Sequence, residues 1–585
     1  MYGKNSIVYP GGLYFLIVDL IKNLGDKAIL IWAIFTVIFA SILIFLAFDK
    51  SRNLLVKCFP KIRSIISSDI FFTIIIFLGT LFIRAPNLIQ PELNPDESIW
   101  IVNAATLIKD PRFWLSVDGS TSGPLNIFPL ILINLLGGTL NYVSIRLFGL
   151  FFCMIPAIIF LYFTLKNFFR LQTSRLLIVP CVLSITLFNN SDLIAFNSEQ
   201  IPMVLISFAM YLILSQVSKN EYKRSKILLI GLILGSAFYA KLQSLGIILG
   251  LITFLIIDLK KNTQLTKKFH DFITYLFIGL SIPTILVLIY SFLFGLYHDF
   301  FQSYIINNFF YVSRSRYNLI NIIKSTYNYA NLIPDIKYFI TLSFFIYFLN
   351  IFLLFNLSKK LNYAYRRLLL FSITFYLSVV VTVVIPLTFF AHYQNLMIVP
   401  SFLLISVFFG IILEYKILRL KKIIYLFILT LLIFISFIGS MSRQRDGIKR
   451  ILSLDNIIHI SPVSNFVSKF AKPNDKLVIW GWATFYHVEA GLIQGTRDVV
   501  PFYQITNSSQ QNHYVERYLS DMKLNEPTFF IQAITKNSFA FNNPNAQDIE
   551  NYPLISQYIY ENYKLINTIE GNQIFIRNDR INQIK

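Results

Sequence analysis

The sequence predicts a polytopic α-helical membrane protein, with about twelve transmembrane helices followed by a small C-terminal α/β domain. Three observations predict it. Mean hydropathy is +0.62, and 55% of the 585 residues are apolar against 14% charged, outside the range of soluble globular chains. Apolar runs of roughly 15–25 residues recur from Ala28 to Ser440, long enough to cross a hydrocarbon layer of ~30 Å. After Ser440 the composition changes to short apolar stretches punctuated by Asn, Gln and Gly.

The charge distribution orients the membrane part. The net charge is +21, yet residues 442–585 hold 15 basic and 13 acidic side chains, so nearly all of the excess lies among the apolar runs. It is gathered in short clusters at 50–63, 166–175, 219–226, 260–268, 359–367 and 416–422. This is the positive-inside pattern rather than a nucleic-acid footprint. With all six loops cytoplasmic, the spans fall at about 28–48, 70–84, 142–165, 176–190, 200–217, 227–241, 243–258, 270–296, 337–356, 368–390, 395–414 and 423–440. A further span over "GPLNIFPLILINLLGG" (123–138) would invert the 166–175 cluster, so this stretch reads as an interfacial helix on the opposite, trans surface.

The trans side then holds the long first loop 85–141, the segment 191–199, the loop 297–335, the short "AHYQN" at 391–395 and everything after Ser440. Asp19 interrupts the first apolar stretch and no small-residue cleavage site follows, so no cleaved signal peptide is expected. Cys58, Cys153 and Cys181 have no metal-type spacing, and the C-terminal part has no cysteine. The expected location is the plasma or inner membrane, with residues 1–441 embedded and an extracytoplasmic domain over 442–585. In that domain "DKLVIWGW" (475–482), "PTFFIQAI" (527–534) and "NQIFIRND" (572–579) read as strands and "NYPLISQYIYENY" (551–563) as a helix.

The ionisable residues at the trans boundary carry the chemical interest, since charge near a membrane surface is costly unless paired or hydrated. "NPDES" (94–98) has Asn94 as an N-cap, Pro95 at the first helical position and Glu97 at the third, close to a capping box. Two readings stay open: the acidic pair only starts the helix, or the cap leaves Asp96 to project elsewhere, toward open space, where a carboxylate can act as a general base. The loop after it contains "DPRFWLSVDGSTSGP" (110–124), rich in turn formers.

The order "IRAPNLIQPELNPDESIW", "SVDGSTSGPL" and "SIRLFGLFF" (144–152) resembles the polyprenyl-phosphate-sugar-dependent glycosyltransferases of the GT-C superfamily. The family-39 protein O-mannosyltransferases and the lipid A aminoarabinose transferases are the nearest in pattern. Arg84, Pro86, Asp96, Glu97, Gly123, Pro124, Arg146 and Leu147 occupy the motif positions of the first loop and the helix after it. "FNSEQIPMVL" (196–205) is similar to the second trans acidic element, with Glu199. "GLILGSAFYAKLQSLG" (231–246) resembles the glycine helix ending in a lysine, Lys241, and "FFAHYQNLMIVP" (389–400) the late aromatic-His-Tyr element. Two features depart from the pattern. "SGPL" stands where "KPP" is common, so the contacts of that Lys are absent or supplied elsewhere, and the span at 28–48 is an addition.

The resemblance implies an inverting glycosyltransferase with a polyprenyl-phosphate-linked sugar donor and an acceptor hydroxyl on a glycolipid, polysaccharide or protein. Asp96, with Glu97, would be catalytic. Lys241 and Arg84 are the expected phosphate ligands, with Arg314 and Arg316 of "YVSRSRYN" (311–318) as further anion partners. His392 and Tyr393 would bond phosphate or sugar hydroxyls, and Glu199 would orient the acceptor. Asp96, Glu97 and Glu199 are hard ligands suited to Mg²⁺ or Mn²⁺. Cationic side chains suffice to neutralise a phosphate, so no cofactor is required. Two alternatives stay open: an oligosaccharyltransferase-like enzyme, whose sequon-reading motif "IWGWATF" (479–485) resembles without its central acid, and a transporter or flippase of lipid-linked sugars.

Overall fold

The computed structural model describes residues 12–583 except 50–51, 53–62, 189, 262–267, 314–323, 325–327, 329–333, 358–359, 387–389, 416–446, 454–459 and 537. Arg314, Arg316 and the expected span at 423–440 lie outside the described residues. Among the described residues, nine helices are long and apolar enough to cross a membrane: Lys27–Ala47, Asp69–Leu88, Tyr142–Lys166, Gln200–Lys219, Leu242–Lys261, Phe269–Leu293, Lys337–Asn356, Tyr363–Val384 and Ala391–Glu414. Two further expected spans are shorter helices, Leu171–Leu187 and Arg224–Ala240, of 17 residues each. The stretch read as interfacial forms the short apolar helix Pro124–Leu135.

These helices sort by which faces they bury. Ala391–Glu414 is buried almost throughout and forms the centre of the bundle, while Lys27–Ala47 exposes Leu30, Ile34, Val37 and Ile38 as a lipid-type face. Arg224–Ala240 and Phe269–Leu293 cross at two glycines. A Cβ on Gly231 would stand 2.3 Å from the Leu276 carbonyl, and one on Gly279 2.2 Å from that of Leu228. This backbone-to-backbone approach fixes the helix whose C-cap is Lys241.

The C-terminal part carries a five-stranded sheet in the order β2-β1-β3-β5-β4. β1 (Lys476–Gly481), β3 (Phe529–Ala533) and β5 (Asn572–Arg577) are the apolar runs read as strands. β2 (Ile493–Gln494) and β4 (Tyr563–Ile569) were not legible. The first has two residues, and the second is an edge strand that buries only Tyr563 fully. β1 pairs in parallel with β2 and β3, and β5 runs antiparallel to β3 and β4. Trp480 fills this domain's core, its indole N–H donating to the Gln547 carbonyl at 2.8 Å.

This domain sits on the first loop. Helix Phe485–Ala490 packs on helix Pro95–Lys109. Arg497 donates to the Trp114 carbonyl at 2.9 Å and to Asp299 at 2.6 Å, and its own carbonyl accepts from Asp118 N at 2.9 Å. Arg517 lies between Asp118 at 2.9 Å and Asp498 at 2.6 Å. Two buried arginines therefore tie the sheet domain to the loop that precedes Gly123.

Candidate active site

The site begins at the start of helix Pro95–Lys109. Asn94 is its N-cap, accepting from the Asp96 N–H at 2.8 Å, with Pro95 in the first turn. The Asn94 amide also donates to Asp192 at 2.5 Å, joining this helix start to the segment after Asn190. Asp96 lines a cavity of about 490 Å³. Burial raises its carboxyl above the ordinary value, against the pull of His392 and Lys241.

Glu97 turns the other way, and here the expectation of a catalytic pair is corrected. It is fully buried outside the cavity, and Arg146 grips it through Nε at 2.6 Å and Nη2 at 2.5 Å. Its oxygens also accept from Leu93 N at 2.9 Å and Phe196 N at 3.3 Å. The reach back to Leu93, one residue before the cap, replaces the capping box. With these partners Glu97 has no free oxygen to offer a substrate.

Arg84 is likewise removed from the substrate. Buried in the bundle, it donates to the Leu193 carbonyl at 2.8 Å, to Met154 Sδ at 2.9 Å and to the Ile185 carbonyl at 3.4 Å. It does not line the cavity, so it ties helices together rather than binding a phosphate.

Lys241 does line the cavity. As C-cap of its helix it leaves helical geometry and pairs with Ser122 as an isolated β-bridge. Gly123 N donates to Ala240 O at 2.9 Å, and a Cβ on Gly123 would stand 2.1 Å from the Tyr239 carbonyl. The "SGPL" stretch thus packs on the lysine-bearing turn, and only glycine permits the approach. The Lys241 ammonium donates to Ser198 Oγ at 2.8 Å, contacts the Glu199 carboxylate, and lies 4.7 Å from the centre of the Tyr393 ring. Burial pushes the Glu199 carboxyl up, but Lys241 and His392 outweigh it and hold it below its ordinary value.

His392 stands over the same acid, its Nε2 3.9 Å from Glu199 and its Nδ1 3.7 Å from Asp192. Its ring stacks on Phe390 at 5.4 Å and meets Tyr393 edge-on at 5.0 Å. The segments at 94–96, 191–199, 241 and 390–393, far apart in the chain, therefore meet at one cavity end. Three acids considered as metal ligands do not converge, since Glu97 is held by Arg146 and Glu199 by Lys241. Among the described residues no group of three or more His, Cys, Asp or Glu is arranged around a metal position.

The sequence reading missed half of this cavity. Its second wall comes from the first loop and the sheet domain: Asp118, Ser120, Asp498, Trp482, Phe502, Tyr503 and Phe539. Trp482 meets Phe539 edge-on at 4.8 Å, and Ser120 bonds the Tyr503 hydroxyl at 2.7 Å. Ser120 holds a left-handed φ of +57° with its N–H on Asp118 Oδ1 at 2.9 Å, which bends the loop into the cavity. Trp482, at the end of the stretch that reads as a strand, lies at the cavity. Asp192 carried no signal beyond a local helix cap at Asn190.

Residues 122–290 match the family model of the dolichyl-phosphate-mannose-protein mannosyltransferases. No curated protein matches the chain by sequence. The crystal structure of ArnT from Cupriavidus metallidurans bound to undecaprenyl phosphate overlays 86% of this chain and 97% of its own, at 10% identity and a TM-score of 0.50. The Archaeoglobus fulgidus oligosaccharyltransferase complexed with Zn and sulfate overlays 79% of this chain and 68% of its own, at 12% identity. Its TM-score is 0.42. In fold over most of its length, and in family signature over residues 122–290, this multi-pass membrane protein resembles the GT-C glycosyltransferases.

Proposed function

We propose that the protein is an inverting glycosyltransferase that moves a sugar from a polyprenyl-phosphate donor to an acceptor hydroxyl at the extracytoplasmic face of the plasma or inner membrane. The observation that carries this reading is the shared cavity of Asp96, Lys241 and His392, which gathers one proton acceptor and two cationic or polar donors at the end of a membrane bundle. Asp96 takes the proton of the acceptor hydroxyl as that oxygen bonds to the anomeric carbon. The bond from that carbon to the phosphate oxygen breaks, and the lipid phosphate leaves with the electron pair.

Lys241 and His392 face the departing phosphate and stabilise its charge, which needs no cofactor. Asp192 and Glu199 hold these two residues in place. The aromatic wall of Trp482, Phe502, Tyr503 and Phe539 offers flat apolar faces to the acceptor, matching the faces of a sugar ring.

The test is sugar release from a synthetic polyprenyl-phosphate sugar by the purified protein in detergent, with a membrane extract as acceptor source. Product with inverted anomeric configuration supports single displacement, and retained configuration overturns it. Undiminished transfer by the Asp96→Asn protein would remove Asp96 as the base.

A further inference from the structure

A second cavity of about 410 Å³ lies at the other end of the bundle, walled by helices Leu245–Lys261, Pro334–Leu357 and Tyr363–Val384. Helix Leu245–Lys261 starts beside Lys241 and ends in this cavity, so the two sites are separated by about 25 Å of helix rise. We propose that this cavity binds the phosphate of an anionic phosphoglycerolipid, in the leaflet opposite the sugar-transfer site.

The argument starts from charge. Arg367 is buried and already paired. Its Nε donates to Asp258 at 2.6 Å and its guanidinium to Tyr222 Oη at 2.6 Å and Asn220 Oδ1 at 2.9 Å. This network fixes the cavity floor and consumes the charge of Asp258. Lys261 and Arg366 are exposed at the rim and have no carboxylate partner among the described residues. The Tyr363 ring stands 5.7 Å from the Arg366 guanidinium and 5.0 Å from that of Arg367, so both are aimed around one aromatic post.

The walls decide between a lipid and a free ion. Phe254, Ile257, Leu354 and Leu370 line the cavity below the cations. The helix that supplies Leu354 also exposes Phe352 and Phe355, by 59% and 78%, as lipid-type surface outside the cavity. A hydrated ion gains nothing from such walls, whereas acyl chains bury them. Two unneutralised cations over an apolar groove fit a net-anionic headgroup better than a zwitterionic one. The reading is independent of the chemistry at Asp96.

Native mass spectrometry of the full detergent-purified chain tests it, with phosphatidylglycerol, phosphatidylcholine and inorganic phosphate as probes. Two cations at about fivefold each predict retention of phosphatidylglycerol roughly 25-fold over phosphatidylcholine. The Lys261→Gln/Arg366→Gln protein is expected to lose that preference, and the charge-keeping Lys261→Arg/Arg366→Lys protein to retain it. A 100-fold excess of inorganic phosphate is expected to leave the lipid bound. The proposal is overturned by equal retention of the two lipids or by a preference that survives the Gln pair. Loss of the preference in the charge-keeping pair, or displacement by inorganic phosphate, overturns it equally.

Discussion

Asp96 and Glu97 are neighbours in the chain and serve opposite surroundings: Asp96 faces the cavity, and Glu97 is locked on Arg146 at 2.5 and 2.6 Å in the bundle. One helical residue is a turn of about 100°, so a helix start cannot aim both side chains at one substrate. The cap at Asn94 sets which of the two faces open space. Their substitutions therefore separate chemistry from stability.

Asp96→Asn is expected to reduce transfer by about 10²–10⁴, the usual worth of a positioned general base. The same change is expected to raise the melting temperature near neutral pH. Burial raises the Asp96 carboxyl above 3.8, so the folded state holds its proton more tightly than the unfolded state does. Stability contributed by that proton is lost as pH rises through the raised value, and asparagine does not ionise. Thermal unfolding in detergent at pH 7, beside an activity assay, checks both halves.

Glu97→Gln is expected to cost about 3–5 kcal/mol, because it leaves the fully buried Arg146 guanidinium without a counter-charge. Three carbonyls, of Leu88, Gln90 and Pro91, still accept from Arg146, but they carry no net charge to replace the carboxylate. The measurement is denaturant or thermal unfolding. A melting temperature equal to the parent protein's would reject the pairing as a stability element.

The contrast also marks how far the sequence is readable. Periodicity and charge clusters exposed the spans because lipid imposes the same requirement on every one of them. The cavity residues Asp96, Lys241 and His392 were legible because each is an ionisable group at the end of an apolar run. Arg84 and Glu97 share that placement, and nothing local distinguishes an arginine that bonds carbonyls of distant helices from one that binds phosphate. The second wall was not legible at all. Trp482, Asp498 and Tyr503 reach the cavity because the sheet domain docks on the first loop, with Arg497 and Arg517 pairing across nearly 400 residues.

Lys241→Met is expected to abolish donor turnover and to destabilise the protein by about 3–5 kcal/mol, since Glu199 is then buried without its cation. Adding Glu199→Gln removes the stranded charge. The double variant is expected to regain most of the stability and none of the activity, a non-additivity that a double-mutant cycle reads directly. Recovery of turnover in the double variant would place the phosphate ligand elsewhere.

Arg517→Met is expected to loosen the sheet domain from the first loop. Asp118 and Asp498 lie on either side of this guanidinium, at 2.9 and 2.6 Å, and without it two buried carboxylates face each other. Faster amide hydrogen exchange over residues 110–123, with the membrane helices unchanged, is the expected signature. Exchange equal to the parent protein's would show that Arg497 and the packing of helix Phe485–Ala490 hold the dock without Arg517.

Glu92 supplies a pH dependence that belongs to the fold rather than to catalysis. Burial pushes its carboxyl from 4.5 up to about 8; the neighbouring carboxylates of Glu97 and Glu489 push the same way, and the Ser98 hydroxyl and Arg146 oppose them. Between those values the folded state binds a proton that the unfolded state has released. Stability therefore falls as pH rises from about 4.5 to about 8, and the proton's contribution is gone above that. Glu92→Gln keeps a neutral side chain at every pH, so its melting temperature is expected to gain on the parent protein's as pH rises through this window. Parallel pH profiles for the two proteins would mean that Glu92 is ionised across the whole range.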